Sequence, residues 1–204
     1  MRRSGRPTRE QAAKLDLEIR EAALRVFLDH GYEGALVGTI AAAAGTTRAT
    51  LYARYGSKEQ LFVAVFRWAT QRTDWPFPEP EPPDFEDLEA ALTAVAIDSQ
   101  RRALNPSMVK LSRIAVTQAE RFPDIARHAA TSPRQQLVVD LLKFHVAQGA
   151  IVADDIDILA EHFIAMVAGM PARLASMGIV RGRAAEAARL RVAVRLFVRG
   201  LRPA

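Results

Sequence analysis

The sequence predicts an all-α protein: a short N-terminal helix-turn-helix unit followed by a larger helical bundle. Three observations predict it. Apolar residues recur at helical spacing along nearly the whole chain, no segment alternates at the strand period, and glycine or proline punctuates the apolar runs where helices should end. The 204 residues, half of them hydrophobic, suffice for a sizeable core.

Ile19, Ala22, Ala23, Val26 and Phe27 line one face of a first helix, and Gly31 stands where a left-handed residue would end it. A second, short helix is predicted over about Val37–Ala44, with Ile40, Ala41 and Ala44 inward. Gly45 breaks it. Thr47 caps a third helix over Arg48–Tyr55, and Gly56 ends that one. Ser57 caps a fourth, where Gln60 at the third position completes a capping box, and the helix runs to about Arg72.

Residues 74–85, DWPFPEPEPPDF, hold five prolines and cannot be helical, so they read as a linker. Helices resume at about Phe85 to Leu104, Ser107 to Glu120 and, briefly, Asp124 to Ala130. Another starts at Pro133 behind a Ser132 cap and ends near Gly149. Asp155 caps a helix over about Ile156–Ala175, and the last spans Ala184–Gly200. The predicted organisation is a basic arm over 1–14, a DNA-binding unit over 15–60, a connecting helix and linker over 61–84, and an effector and dimerisation domain over 85–204.

The last two helices carry heptad seams. Ile156, Leu159, Phe163, Met166 and Met170 are spaced 3, 4, 3, 4, as are Ala187, Leu190, Val194, Phe197 and Leu201. Arg191, Arg195 and Arg199 edge the second seam. An apolar seam bordered by long cationic side chains suits a four-helix bundle between two copies. Leu159, Phe163, Met166, Met170, Leu190, Val194, Phe197 and Leu201 are the expected homodimer interface.

Charge is unevenly placed around a net +5. Arg2, Arg3, Arg6, Arg9 and Lys14 face Glu10 alone at the start, eight arginines face Glu186 alone over 173–204, and eight acids with no base lie between Thr73 and Gln100. The basic start suits phosphates, whereas the C-terminal arginines read as a solvated face. There is no cysteine, hence no disulfide or thiolate metal site. No unbroken apolar stretch approaches the roughly 18 residues of a membrane span, and no apolar h-region follows MRRSGRPTRE. A cytoplasmic protein without cofactor, metal or membrane partner is expected. An enzyme is not, since His30, His128, His145 and His162 are scattered and no phosphate-binding glycine loop occurs. Asp154, Asp155 and Asp157 suit a helix start better than a cation site.

The chemistry concentrates in VGTIAAAAGTTRATLYARYGSK, residues 37–58. Four consecutive alanines let two short helices approach closely. The second helix carries Arg48, Thr50, Tyr52 and Arg54 in two turns, with Leu51 as its anchor. That concentration of donors is poor core design and suits a DNA groove. Lys58, at the first turn of the fourth helix, opposes the macrodipole, which suits a docked phosphate.

The stretch from Leu17 to Val65 resembles the DNA-binding domain of the tetracycline-repressor (TetR) family through GYEG, IAAAAG and RATLYARYGSKEQLF. The resemblance implies a homodimeric, all-helical transcription regulator on a palindromic double-stranded DNA operator, mostly repressors released by a small-molecule effector. A ligand would shift the population toward a recognition-helix spacing that no longer matches the operator. By position it implies groove-facing roles for Thr47, Arg48, Ala49, Thr50 and Arg54, phosphate contacts for Tyr52 and Lys58, and a place for Tyr55 at the helix edge. An activator or a non-specific nucleoid-type protein is the alternative. The family's hydroxyl pair and arginine at the start of helix two are replaced here by Ala35, Leu36, Val37 and Gly38, shifting weight to the arm. There Gly5-Arg6-Pro7 resembles an AT-hook core, whose arginine enters a narrow minor groove; loose phosphate contact by a solvated tail is the other reading. AERFPDIARHA at 119–129 resembles the AefR-like group of C-terminal domains. A largely apolar effector is expected against Phe85, Leu88, Leu92, Met108, Leu111 and Leu142, with Phe144, Phe163 and Met166 beyond. Arg113, Gln118, His145 and His162 would supply polarity.

Overall fold

The computed structural model describes residues 8–72, 74–125 and 133–201. Arg6, and with it the Gly5-Arg6-Pro7 motif, lies outside the described residues, as do the Ser132 cap and residues 126–130 of the short helix. By contacts the chain divides into two units, Met1–Arg72 with Ile114–Ala129, and Thr73–Arg113 with Ala130–Ala204. Helix α6 (Pro106–Gln118) carries the chain from one to the other. By contacts, the described residues 114–125 group with the first unit.

The first unit is built from α1 (Arg9–Gly34), α2 (Val37–Ala43), α3 (Arg48–Tyr55) and α4 (Lys58–Gln71). Thr8 opens α1 with a reciprocal capping box. Its hydroxyl accepts from the Gln11 amide at 3.2 Å, and its own amide donates to Gln11 Oε1 at 3.0 Å. Gly31, at φ 68°, kinks the helix, and one further turn follows before Ala35. The box expected at Ser57 is only half made. Ser57 Oγ accepts from the Gln60 amide at 3.2 Å, but the Ser57 amide donates to the Tyr55 carbonyl.

Aromatics supply much of this core. Phe27, Tyr32, Phe62 and Phe122 stack or meet edge-on at centroid distances of 4.9 to 6.3 Å. Phe122 ties residues 114–125 to this core through Tyr32 and Phe62. Arg121 beside it pairs with Glu33 at 3.2 Å and Glu59 at 2.9 Å.

The second unit holds α5 (Leu88–Ala103), α7 (Pro133–Ala147), α8 (Ile156–Ile164), α9 (Met170–Ser176) and α10 (Arg183–Gly200). Helix α5 starts three residues later than expected, because Asp87 caps it through the Ala90 amide at 2.9 Å. Between α8 and α9, residues Ala165–Gly169 form a π-turn instead of continuing one regular helix. Pro171 is the cause. It has no N–H to donate to the Val167 carbonyl four residues back, and its ring would crowd that carbonyl. Gln100 Nε2 of α5 approaches the freed oxygen at 3.4 Å.

Ile156–Ser176 is a 21-residue helical run long and apolar enough, by length and composition, to cross a membrane, although no unbroken apolar stretch marks it in the sequence. Its apolarity serves two faces. Phe163 and Val167 are buried in the core, while Ile158, Met166 and Met170 are exposed.

The predicted seam divides between core and surface. Phe163, Leu190 and Val194 pack in the chain's own core, and Phe197 and Leu201, also largely buried, form the floor of an open groove. Leu159, Met166 and Met170 remain at the surface, beside Val192 and Leu196, at 55% and 64% exposure. A heptad repeat identifies an apolar stripe, and this stripe is wide enough to serve core and surface at once.

The proline-rich segment is clamped to the bundle. Buried Arg102 donates to the Trp75 carbonyl at 2.8 Å and the Pro78 carbonyl at 3.2 Å, and its Nε is 2.7 Å from Asp98 Oδ2. Arg134 Nε of α7 shares that Asp98 oxygen at 2.9 Å. Burial draws the Arg134 pKa below the usual guanidinium value, against the Asp98 bond that holds it up.

Candidate nucleic-acid interface

The turn between α2 and α3 closes as a Schellman motif. The Gly45 amide donates to the Ala42 carbonyl and the Thr46 amide to the Ala41 carbonyl, at 3.1 and 2.9 Å. The geometry needs a positive φ, and Gly45 supplies 61°. Thr47 then caps α3, accepting from the Thr50 amide at 3.1 Å, and the two threonine hydroxyls share a 3.0 Å hydrogen bond.

Leu51 is the buried residue of α3, at 2% exposure. Thr47, Arg48, Ala49, Tyr52 and Arg54 are exposed, and Thr50 is half-buried. The predicted groove-facing set therefore occupies a solvent-facing surface of one short helix. A helix so polar, held by one leucine, needs other fasteners, and Tyr55 is one. Its hydroxyl donates to Asp16 Oδ1 of α1 at 2.6 Å. Burial, then that carboxylate, raises the Tyr55 pKa. Asp16 also pairs with Arg20 at 2.7 Å and lies 4.0 Å from Arg54. Tyr55 thus pins α3 rather than offering its hydroxyl outward.

Lys58 has a protein partner that its sequence position does not disclose. Its ammonium donates to the Glu33 carbonyl at 3.2 Å and lies 4.6 Å from the Tyr32 ring centroid. It therefore caps the C-terminal end of α1, where a cation is favoured. The Tyr32 hydroxyl donates to Glu59 at 3.0 Å, and burial followed by that bond pushes its pKa up to about 12.

The Arg48 guanidinium lies against Gly38. A Cβ at position 38 would stand 2.7 Å from Arg48 Nε and 2.9 Å from Cζ, so the glycine leaves the seat in which that guanidinium lies across α2. Leu36 precedes α2 without a side-chain cap. A cation therefore sits beside the helix start where the hydroxyl pair and arginine are missing from the sequence.

The predicted effector-lining residues scatter. His145 is buried, with Nε2 2.8 Å from the Phe85 carbonyl, and Phe85 meets Phe144 edge-on at 5.7 Å. These three fasten the linker. Arg113 donates to the Ser176 and Ala175 carbonyls at 2.7 and 3.2 Å, closing the end of α9. Leu92, Leu142 and Phe163 belong to the core, with Leu88 against it. Leu111 is buried, while Met108 and Gln118 are half-buried. His162 and Met166 line an open groove of about 710 Å³ between α8 and α10. A separate cavity of about 340 Å³ lies under the proline-rich segment, and none of the predicted residues lines it. Among the described residues, no group of three or more His, Cys, Asp or Glu is placed to hold a metal ion.

Comparison with known proteins agrees with this architecture. Residues 19–65 match the family model of bacterial regulatory proteins of the TetR family, and residues 90–200 match the AefR-like transcriptional repressor C-terminal domain. The transcriptional repressor AcnR of Corynebacterium efficiens is 46% identical over 50 residues, 24% of this chain and 27% of AcnR. The chain thus matches about a quarter of the length of that relative. The HTH-type transcriptional regulator Rv1556 of Mycobacterium tuberculosis is 24% identical over 137 residues, covering 67% of this chain and 65% of Rv1556. Among solved structures, the flavonoid-responsive regulator FrrA superposes with TM-score 0.75 at 25% identity, over 94% of this chain and 98% of FrrA. A TetR transcriptional regulator from Agrobacterium tumefaciens gives 0.74 at 18% identity, over 94% and 95% of the two chains. With one family model matching more than half of the chain and another its helix-turn-helix, the chain belongs to the TetR family of bacterial transcription regulators, with an AefR-like C-terminal domain.

Proposed function

We propose that the protein is a homodimeric repressor that binds a two-fold symmetric operator and leaves it when a small molecule binds the C-terminal unit. The observation that carries the DNA-binding half is the exposed surface of α3. Tyr52 is exposed, and Arg48 and Arg54, exposed as residues, rest their guanidinium groups near Gly38 and Asp16, on a helix anchored by buried Leu51 and the Tyr55–Asp16 bond. Base-edge contacts fall to Arg48, Thr50 and Arg54, and phosphate contact to Tyr52. Repression is supported by the matched AefR-like repressor domain and by the likeness of a 50-residue stretch to the repressor AcnR.

Dimerisation is supported by the surface of α8 and α10. Leu159, Met166, Met170 and Leu196 line the groove there, and Val192 continues it. Ordinary surface economy does not explain so many adjacent apolar side chains. A second copy related by a two-fold axis would cover the same face on both chains.

Selection from a randomised duplex library at near-physiological salt tests the reading. The expected product is a palindrome with half-sites about one helical turn, roughly 10 base pairs, or a multiple apart. Retention without any motif, vanishing as salt rises, would reduce the protein to a non-specific polycation binder.

A further inference from the structure

The proline-rich segment is held away from the bundle between two clamps. On one side Arg102 grips the Trp75 and Pro78 carbonyls, and the Arg101 guanidinium lies 4.0 Å from the Phe77 ring centroid. On the other, the Phe85 carbonyl meets His145 and Asp87 starts α5. Between the clamps, Pro80, Pro82 and Pro83 have no N–H to donate and φ fixed near −65°, so the strand between them neither coils nor pairs. It stands off as a wall, and the cavity of about 340 Å³ lies behind it. Ala94 and Val95 of α5 and Leu137 of α7 face the space from the bundle. The volume falls in the range of small-molecule sites.

The cavity has one charge sign in excess. Glu79 and Glu81 come from the wall, Asp98 from α5 and Asp140 from α7, against Arg134. Asp98 is engaged by Arg102 and Arg134 together. Asp140 is oriented by Gln136 Nε2 at 2.9 Å. Even with Arg102 counted, the acids outnumber the cations, and the solvent-exposed Glu79, Glu81 and Asp140 at the cavity leave its mouth negative.

We propose that this cavity under the proline-rich wall is a binding site for a small organic cation, its charged nitrogen among Glu79, Glu81 and Asp140 and its apolar body on Val95 and Leu137. An anion entering would meet three carboxylates. A role for the site as the effector switch rests on the reading above; binding itself does not.

The test uses two probes of like shape and opposite charge, benzyltrimethylammonium and benzylsulfonate, titrated calorimetrically into the full chain. The cation is expected to bind one per chain, at least about tenfold tighter than the sulfonate. The triple variant Glu79→Gln, Glu81→Gln, Asp140→Asn should erase that preference. Ala94→Trp, at an exposed α5 position that lines the cavity, should abolish binding without disturbing the core. Circular dichroism checks that both variants fold. No saturable binding of the cation, equal affinity for the sulfonate, or binding intact in Ala94→Trp overturns the proposal. Operator affinity measured with the cation present is a separate readout. Tight binding without release from DNA upholds the site and overturns its role as the switch.

Discussion

Removing one hydroxyl, Tyr55→Phe, tests how the recognition helix is held. The bond it deletes is an O–H donated to the Asp16 carboxylate at 2.6 Å, from a half-buried phenol on α3 to α1. Hydrogen bonds to charged groups contribute about 1.5–3 kcal/mol, and partial exposure places this one near the lower end, about 1.5 kcal/mol. The ring stays, so no cavity opens. Asp16 keeps Arg20, so it is not stranded. The assay is a double-mutant cycle with Asp16→Ala in urea unfolding, which removes the effects of Arg20 and Arg54 on the single variants. A coupling energy of about 1–2 kcal/mol is expected, together with a two- to tenfold loss of affinity for any DNA retained in selection. The pH dependence has a definite sign. The folded-state Tyr55 pKa lies above its ordinary value, so the stabilisation is complete below the unfolded pKa of about 10 and disappears as pH rises through the folded value. A coupling below about 0.3 kcal/mol would refute the pin, because independent sites add to within that margin.

Four further outcomes are expected. Gly38→Ala should stabilise α2 by up to about 1 kcal/mol through helix propensity yet weaken DNA binding by displacing Arg48. Adding Arg48→Ala to it should then cost no more than Arg48→Ala alone, read by fluorescence anisotropy. Tyr32, with its pKa pushed up to about 12, should contribute about 2–3 kcal/mol that is intact below pH 10 and lost between about pH 10 and 12. Tyr32→Phe should flatten that alkaline limb in unfolding titrations. Arg102→Met should cost about 3 kcal/mol and expose the wall segment to cleavage by a glutamate-specific protease at Glu79 or Glu81. Leu196→Glu should convert a dimer to a folded monomer in sedimentation, because the residue is 64% exposed within the chain.

The helices themselves were legible because their signals are local. Gly45, Thr47, Gly56 and Asp155 act on the turn they sit in, and each ends or starts the helix it was expected to. Leu51 inward among outward donors follows from the 3.6-residue period alone. Pro171 is a local signal of the same kind, since a proline inside an apolar helix announces a break even when the helix resumes. Asp87 is another, its side chain fixing the start of α5 at Leu88.

What composition and spacing determined about this chain is its all-helical class, its helix-turn-helix and the apolar stripes. Tertiary structure decided which side of each stripe is core. It took Phe163 and Phe197 inward and left Met166 and Leu196 in solvent, a choice made by packing against α5 that no periodicity encodes. It also decided partners across long sequence separations: Tyr55 with Asp16, Lys58 with Glu33, Arg102 with Trp75, and the cavity that this last clamp keeps open. Such pairings depend on where separate helices meet. A side chain's own neighbours along the chain specify its helix, but only the folded arrangement brings it the atom it bonds.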